Sequence, residues 1–345
     1  MKKVLVLFLI FGLFFISCEK KVSGPKYKKG TEEYKFFEVM SKTVPYMAPD
    51  TTVELIKTDE FTVVNHDIMP LVFQAMRGDT ASFINTESKQ IENYIDRIIS
   101  QYGTTELLMA DAKKHKVKTA KEKLAEELAK IYTRYGGEEK FTEMVEKQGI
   151  KIEDVKKDVK KNLIIKKYFN DVIFSKIKID EAKIKEKYEK SKDNYNKEVA
   201  TVRHILFLTK NKSDSAKIEV KATALKVLEK AKSGEDFEKL VKKYTEDPGS
   251  KENGGLYENF QRGHMVKSFE DVAFNAPIGS ISDLVETQYG YHIIKVIDRK
   301  DSLSYEDVKD DIEEQLKQVK ERSMTPIVID SLKQVYNYKE LLIKK

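Results

Sequence analysis

Two histidines stand inside apolar stretches of this chain, and side-chain chemistry is to be sought there first. His204 lies within the run VATVRHILFL at 199–208, and His292 within YGYHIIKVI at 289–297. Both runs are rich in β-branched and apolar residues and read as strands. The chain has five His in all. Imidazole is the side chain whose ordinary pKa lies nearest neutrality, so a buried pair can hold a proton or fix a polar network. Between the two runs come an amphipathic helix and the polar turn Thr245-Glu246-Asp247-Pro248-Gly249-Ser250. The pair Gly254-Gly255 and the segment Gly263-His264-Met265-Val266 follow, with Phe269 close behind. Asp247 ahead of Pro248-Gly249 is a turn former by composition. Met265 and Phe269, four residues apart, suit a core and a pocket equally. His264 and His115 are isolated from any such pattern. The sequence carries no Cys/His metal spacing, no HExxH, no G-x-S-x-G and no phosphate-binding glycine loop, so no metal or cofactor is expected.

The segments VRHILF, YTEDPGSKENGG, RGHMVKSFEDVAFNAPIGSIS and TQYGYHIIKV, in this order and at these spacings, are similar to the parvulin family of peptidyl-prolyl isomerases. The resemblance covers 198–300 and implies a four-stranded antiparallel sheet wrapped by helices. The reaction it implies is rotation about an X–Pro amide, which prefers trans only slightly but exchanges slowly because rotation breaks amide resonance. Such catalysis needs a dry pocket for the proline ring and polar groups suited to the twisted amide, without a nucleophile or metal. By resemblance, His204 and His292 lie side by side beneath the site and Asp247 stands near the substrate carbonyl. Thr287 joins the histidine network, and Met265 and Phe269 form the proline pocket. One stretch departs from the pattern. The family commonly has Gly-Gly-Asp-Leu-Gly where this chain has Gly254-Gly255-Leu256-Tyr257-Glu258. The pocket-lining leucine therefore falls on Tyr257, or on Leu256 if the loop slips by one. Glu258 is expected to take the backbone geometry that glycine usually supplies.

Other elements surround this core, beginning at the N-terminus. Lys2 and Lys3 precede an apolar run at 4–16 that ends in Ser17-Cys18, the pattern of a secretory signal at 1–17. The run is too short to span a bilayer, which takes about 20 residues. Ile16-Ser17-Cys18 resembles a lipobox, so Cys18 is expected to carry lipid and to tether the chain. It is the only cysteine, and an intrachain disulfide is thereby excluded. Residues 18–30 read as the lipidated start and a flexible linker. Residues 31–197 read mostly as helices, with a short strand near 61–65 and a break expected at Gly103 between apolar-faced segments at 86–102 and 104–112. Gly136-Gly137 closes a further helix, and Asp180 caps another. This helical succession, with LLMADAKKH at 107–115, is similar to the N-terminal region of SurA/PrsA-type chaperones. In that architecture the isomerase is inserted in the helical module. A helix at 305–319, continued by 328–335 and the basic tail at 339–345, is expected to return to it within 301–345.

The fold class expected is thus α+β, a parvulin domain inserted in a mostly α-helical chaperone module. The formal net charge is +6 and charged residues make up 35%. Lysine alternates with glutamate along helices, and no basic run is interleaved with aromatics, so nucleic acid is not an expected partner. Expected partners are unfolded exported polypeptides with X–Pro bonds, the membrane through Cys18, and a second copy through half-exposed apolar stripes. The expected function is a lipid-anchored prolyl isomerase and foldase at the cell envelope. The alternative is a holding chaperone or assembly factor whose parvulin domain is catalytically weak. Glu19 after Cys18 is compatible with a periplasmic leaflet and with an outer cell surface.

Overall fold

The computed structural model describes residues 27–76 and 86–342. The signal sequence and Cys18 lie outside the described residues. The chain divides into two compact units. One takes the chain up to Lys178 and again from Gln318, and the other is the continuous stretch Ile179–Lys317 between them.

The first unit is mostly helical. α1 (Glu32–Met40), β1 (Glu54–Lys57), β2 (Thr62–Val64) and α2 (Asn65–Ala75) build one core with the start of α3 (Ser88–Lys114). Asn65, fully buried, accepts from Val53 N–H at 3.0 Å and donates to the carbonyls of Ala48 and Thr51, so its burial leaves no amide atom unmet. α3 runs unbroken through Gly103, where the sequence suggested a break. A Cβ at Gly103 would lie 2.3 Å from both Ile56 Cδ1 and Tyr338 Oη. The glycine is there because two side chains pack directly on the helix backbone, and tertiary packing overrides its low helix propensity. α4 (Lys121–Arg134), α5 (Glu138–Glu146) and α6 (Ile152–Tyr168) share a second core.

α12 (Tyr305–Val335) joins the segments at 305–319 and 328–335 in one helix, and it continues through Pro326. Pro326 removes the N–H that would meet the Arg322 carbonyl, and Arg322 is exposed, where water can serve instead. The part of α12 from Gln318 belongs to the first unit, where Leu332 and Tyr336 pack beside Leu107 and Tyr168. Asp111, buried on α3, accepts hydrogen bonds from Tyr168 Oη at 2.6 Å and Tyr336 Oη at 2.7 Å, which ties three helices to one carboxylate. The described part of the basic tail, up to residue 342, does not extend a helix. Lys339–Glu340 forms β7, antiparallel to β1, in a sheet of order β2-β1-β7.

In the second unit, β3 (Val199–Leu208), β4 (Leu256–Gln261), β5 (Val285–Thr287) and β6 (Gly290–Lys300) form an antiparallel sheet of order β4-β3-β6-β5. The two-residue period of the strands separates its faces. Ile205, Phe207, Tyr291 and Ile293 face α9 (Asp214–Lys232) and α10 (Phe237–Tyr244). Ala200, Val202 and Ile294 face α11 (Lys267–Asn275). α7 (Glu181–Lys190), the short α8 (Lys192–Tyr195) and the start of α12 close a third cluster around Ile184, Val199 and Ile312.

Candidate active site

His204 and His292 fall on the α11 face because they continue the alternation of Val202 and Ile294. His204 pairs in register with Ile294, and Leu206 with His292, so the two imidazoles are diagonal neighbours on adjacent strands. Their Nδ1 atoms are 3.3 Å apart, and both residues are buried, at 3% and 5% exposure. Phe269, on the first turns of α11, stands edge-on to both rings with centroids 5.5 Å away.

The turn carrying Asp247 is fastened to the end of β3. Thr245 Oγ1 accepts from Leu206 N–H at 3.1 Å, and Glu246 N–H donates to the Leu206 carbonyl at 2.8 Å. Asp247 Oδ2 lies 2.9 Å from His204 Nε2, accepts from Tyr257 Oη at 3.0 Å, and accepts a further hydrogen bond from Ser250 Oγ. Ser250 Oγ also sits 3.0 Å from His204 Nε2. Asp247 Oδ1 accepts from Gly249 N–H at 3.1 Å. The segment leading into β4 is held by Gly255, whose carbonyl accepts from His204 N–H at 2.8 Å. Its φ is +77°, and a Cβ there would lie 2.4 Å from the His204 carbonyl oxygen, so only glycine fits. Arg203 reinforces this segment with hydrogen bonds to the carbonyls of Asn253 and Gly254 and an ion pair to Glu238.

The carboxylate assigns the tautomers along the network, although Thr287 Oγ1 also lies 3.4 Å from the Gly290 carbonyl. His204 Nε2 faces the carboxylate and carries the proton, so in the neutral ring Nδ1 is bare and accepts from His292 Nδ1–H. His292 Nε2 is then bare and accepts from Thr287 Oγ1–H at 2.9 Å, while Thr287 Oγ1 accepts from Tyr289 N–H at 3.1 Å. Both imidazoles are neutral near pH 7. Burial lowers the His204 pKa, although its hydrogen bond to Asp247 and that residue's charge oppose the shift. Burial, followed by repulsion from a charged His204, brings His292 down to about 4. For Asp247, burial is the largest single influence and favours the neutral acid. The hydrogen bonds from Ser250, His204 and the Gly249 N–H together outweigh it and hold the carboxyl at about 2. The site therefore presents a fixed carboxylate above two neutral imidazoles.

Met265 and Tyr257 are partly buried against the cluster of Phe260, Phe269 and Phe274 and form the apolar side of this arrangement. Glu270 Oε1 accepts from the Gly263 and Met265 N–H groups at 2.6 and 2.9 Å, which fixes the loop that carries Met265. Of the two alternatives at the departing segment, the register selects Tyr257. It pairs with Val202 and shares the histidine face, whereas Leu256 pairs with Arg203 and by alternation faces the other side. Leu256 is thus not brought to the site. Glu258 is spared the positive φ expected of it, because the left-handed residue is Asn259, at φ +45°, with its N–H on Thr201 Oγ1. Ser250, Thr245 and Glu270 were not singled out from sequence. As single polar residues in a turn or an exposed helix they carry no pattern, and their roles arise only from the folded loop.

The family model described as the PPIC-type PPIase domain matches residues 182–300. The foldase protein PrsA 4 of Bacillus cereus is 32% identical over 246 residues, covering 70% of this chain and 79% of that protein. The foldase protein PrsA 3 of Bacillus anthracis is 31% identical over 240 residues, covering 69% and 75%. This chain belongs to the PrsA foldase family. It is a parvulin-type peptidyl-prolyl isomerase and foldase, and its substrates are unfolded proteins. Among solved structures, PrsA of Bacillus subtilis is similar at 25% identity with a TM-score of 0.43, covering 81% of this chain and 89% of that one. The isomerase reaction breaks no covalent bond, so the site's hydroxyl and imidazole groups need only hold the polar network.

Proposed function

We propose that X–Pro segments of exported polypeptides are isomerised on the α11 face of the second unit, with Asp247, His204, His292 and Thr287 as the polar set and Met265, Phe269 and Tyr257 as the proline wall. The observation that carries this reading is the Asp247 carboxylate held beside an apolar wall by hydrogen bonds with His204, Ser250 and Tyr257. In a planar amide, resonance places negative charge on the carbonyl oxygen and double-bond character in C–N. A carboxylate close to that oxygen disfavours the charge-separated form and so lowers the cost of twisting. The apolar wall holds the proline ring and excludes water, which strengthens this electrostatic effect. His204 and His292 act through Asp247, keeping it ionised and in place. They transfer no proton.

The helical first unit serves in this proposal as the part that holds the client chain, and residues 198–300 as the catalytic part. We further propose that the chain is processed at the end of residues 1–17 and anchored outside the cytoplasm through lipid on Cys18. No helix among the described residues is long and apolar enough to cross a membrane. Cys18→Ser tests the anchor: the variant is expected in the aqueous phase of a detergent partition, and retention in the detergent phase would refute the lipid tether. The site is tested by the exchange rate of an Ala-Pro peptide on the full chain. Asp247→Ala and Met265→Ala are each expected to lower kcat/KM by about tenfold or more, and wild-type rates in both would move catalysis elsewhere.

A further inference from the structure

The three side-chain donors on Asp247 Oδ2 come from different places in the fold. His204 belongs to β3, and Ser250 to the same turn as Asp247 itself. Tyr257 belongs to β4, the outer strand of the sheet. Ser250 moves with the turn and cannot by itself fix it against the sheet. His204 approaches from below, its ring centroid 5.1 Å from that of Tyr257. The phenol therefore supplies a second anchor to the sheet, across the mouth of the turn, and its oxygen also reaches Gly249, lying 3.4 Å from where a Cβ there would be. With Oδ2 committed to three donors, Oδ1 meets only the Gly249 N–H among the described hydrogen bonds and keeps acceptor capacity.

We infer that Tyr257 is a positioning residue for the isomerase reaction: its hydroxyl pins Asp247 Oδ2 so that Oδ1 is presented to the substrate amide, while its ring forms part of the proline wall. This rests on the site reading above. The phenol suits the task because it stays protonated. Burial, then the charge of Asp247 and the hydrogen bond to it, push its pKa up to about 12, so it donates at every working pH. A phenylalanine at the position keeps the ring of the wall but leaves the carboxylate with one fewer restraint, whereas a leucine loses the ring as well. The two functions of the side chain are thus separable by substitution.

The test uses the full chain and four proteins besides wild type: Tyr257→Phe, Tyr257→Leu, Asp247→Asn, and Tyr257→Phe combined with Asp247→Asn. Tyr257→Phe keeps the ring, and is expected to lower kcat by about fivefold with KM within about twofold of wild type. Tyr257→Leu is expected to lose the same factor in kcat and to raise KM as well. In the Asp247→Asn background, Tyr257→Phe is expected to change kcat/KM by less than about twofold, because the group it positions is gone. A structural role would not produce the second readout, the titration of the Asp247 carboxyl carbon by NMR on the folded chain. Its midpoint is expected to rise by about one pH unit in Tyr257→Phe, since a donor to the charged form has been removed. If Asp247→Asn is impaired while Tyr257→Phe turns over and titrates like wild type, the positioning role is overturned and the site stands. If Asp247→Asn itself turns over like wild type, the site reading fails and the inference goes with it.

Discussion

Lowering the pH from about 7 to about 4 will weaken the second unit through the histidine pair. A histidine in the unfolded chain takes up its proton near 6.5, whereas burial holds His292 at about 4 in the fold. Between those two values the unfolded state binds more protons, so the free energy of unfolding falls as acid is added. At about 1.36 kcal/mol per pH unit, the window from 6.5 to about 4 amounts to roughly 3 kcal/mol for His292. His204 is lowered as well and acts with the same sign. Asp247 does not enter this window. Its carboxyl titrates at about 2 in the fold, so its contribution is lost only when the pH drops below the ordinary aspartate value of 3.8. The assay is urea unfolding of the full chain and of His292→Gln at several pH values, followed by tyrosine near-ultraviolet circular dichroism. The stability advantage of wild type over the variant is expected to shrink by about 3 kcal/mol between pH 7 and pH 4. An advantage that stays constant over this range would mean that His292 is not held neutral by burial, and the protonation scheme of the site would be wrong.

Three further outcomes follow from the packing. Asp111→Ala leaves two buried tyrosine hydroxyls without their acceptor and should destabilise the first unit by about 3 kcal/mol, read as an earlier urea midpoint. Gly103→Ala should destabilise by about 1 kcal/mol or more even though alanine is the better helix former, because its Cβ would displace Ile56 and Tyr338. A gain in stability would show that the two side chains move aside freely. Gly255→Ala should reduce isomerase activity together with the stability of the second unit, because its Cβ meets the His204 backbone. An active and stable variant would contradict the close approach drawn there.

The two histidine-bearing strands could be read from the sequence because their signals are local, whereas the four-stranded sheet came from the family resemblance. β3 and β6 are rich in β-branched and apolar residues, and the antiparallel register puts the histidine of each on the same face. Asp247, Thr287, Met265 and Phe269 came from the family resemblance, and the structure draws them into one network and one apolar wall. Tyr257 and Leu256 could not be separated by sequence, since a slip of one residue exchanges the faces of a strand and only the pairing with Val202 decides it. Gly103 was misread for a related reason. Glycine in a helical pattern signals a break locally, and its actual cause, the close approach of Ile56 and Tyr338, lies at remote positions in the chain. The tail at 339–340 likewise carries no strand pattern of its own and becomes a strand only by pairing with β1.

The most direct test of the central claim is the full-chain exchange rate of an Xaa-Pro peptide with Asp247→Asn beside wild type. The substitution keeps the shape of the side chain, removes its charge and replaces one acceptor oxygen by an NH2 group, leaving the other oxygen for the donors now on Oδ2. The account predicts a fall in kcat/KM of about tenfold or more, with the circular dichroism of the fold unchanged. Undiminished exchange in a folded Asp247→Asn protein would contradict it, because the carboxylate would then play no part in twisting the amide.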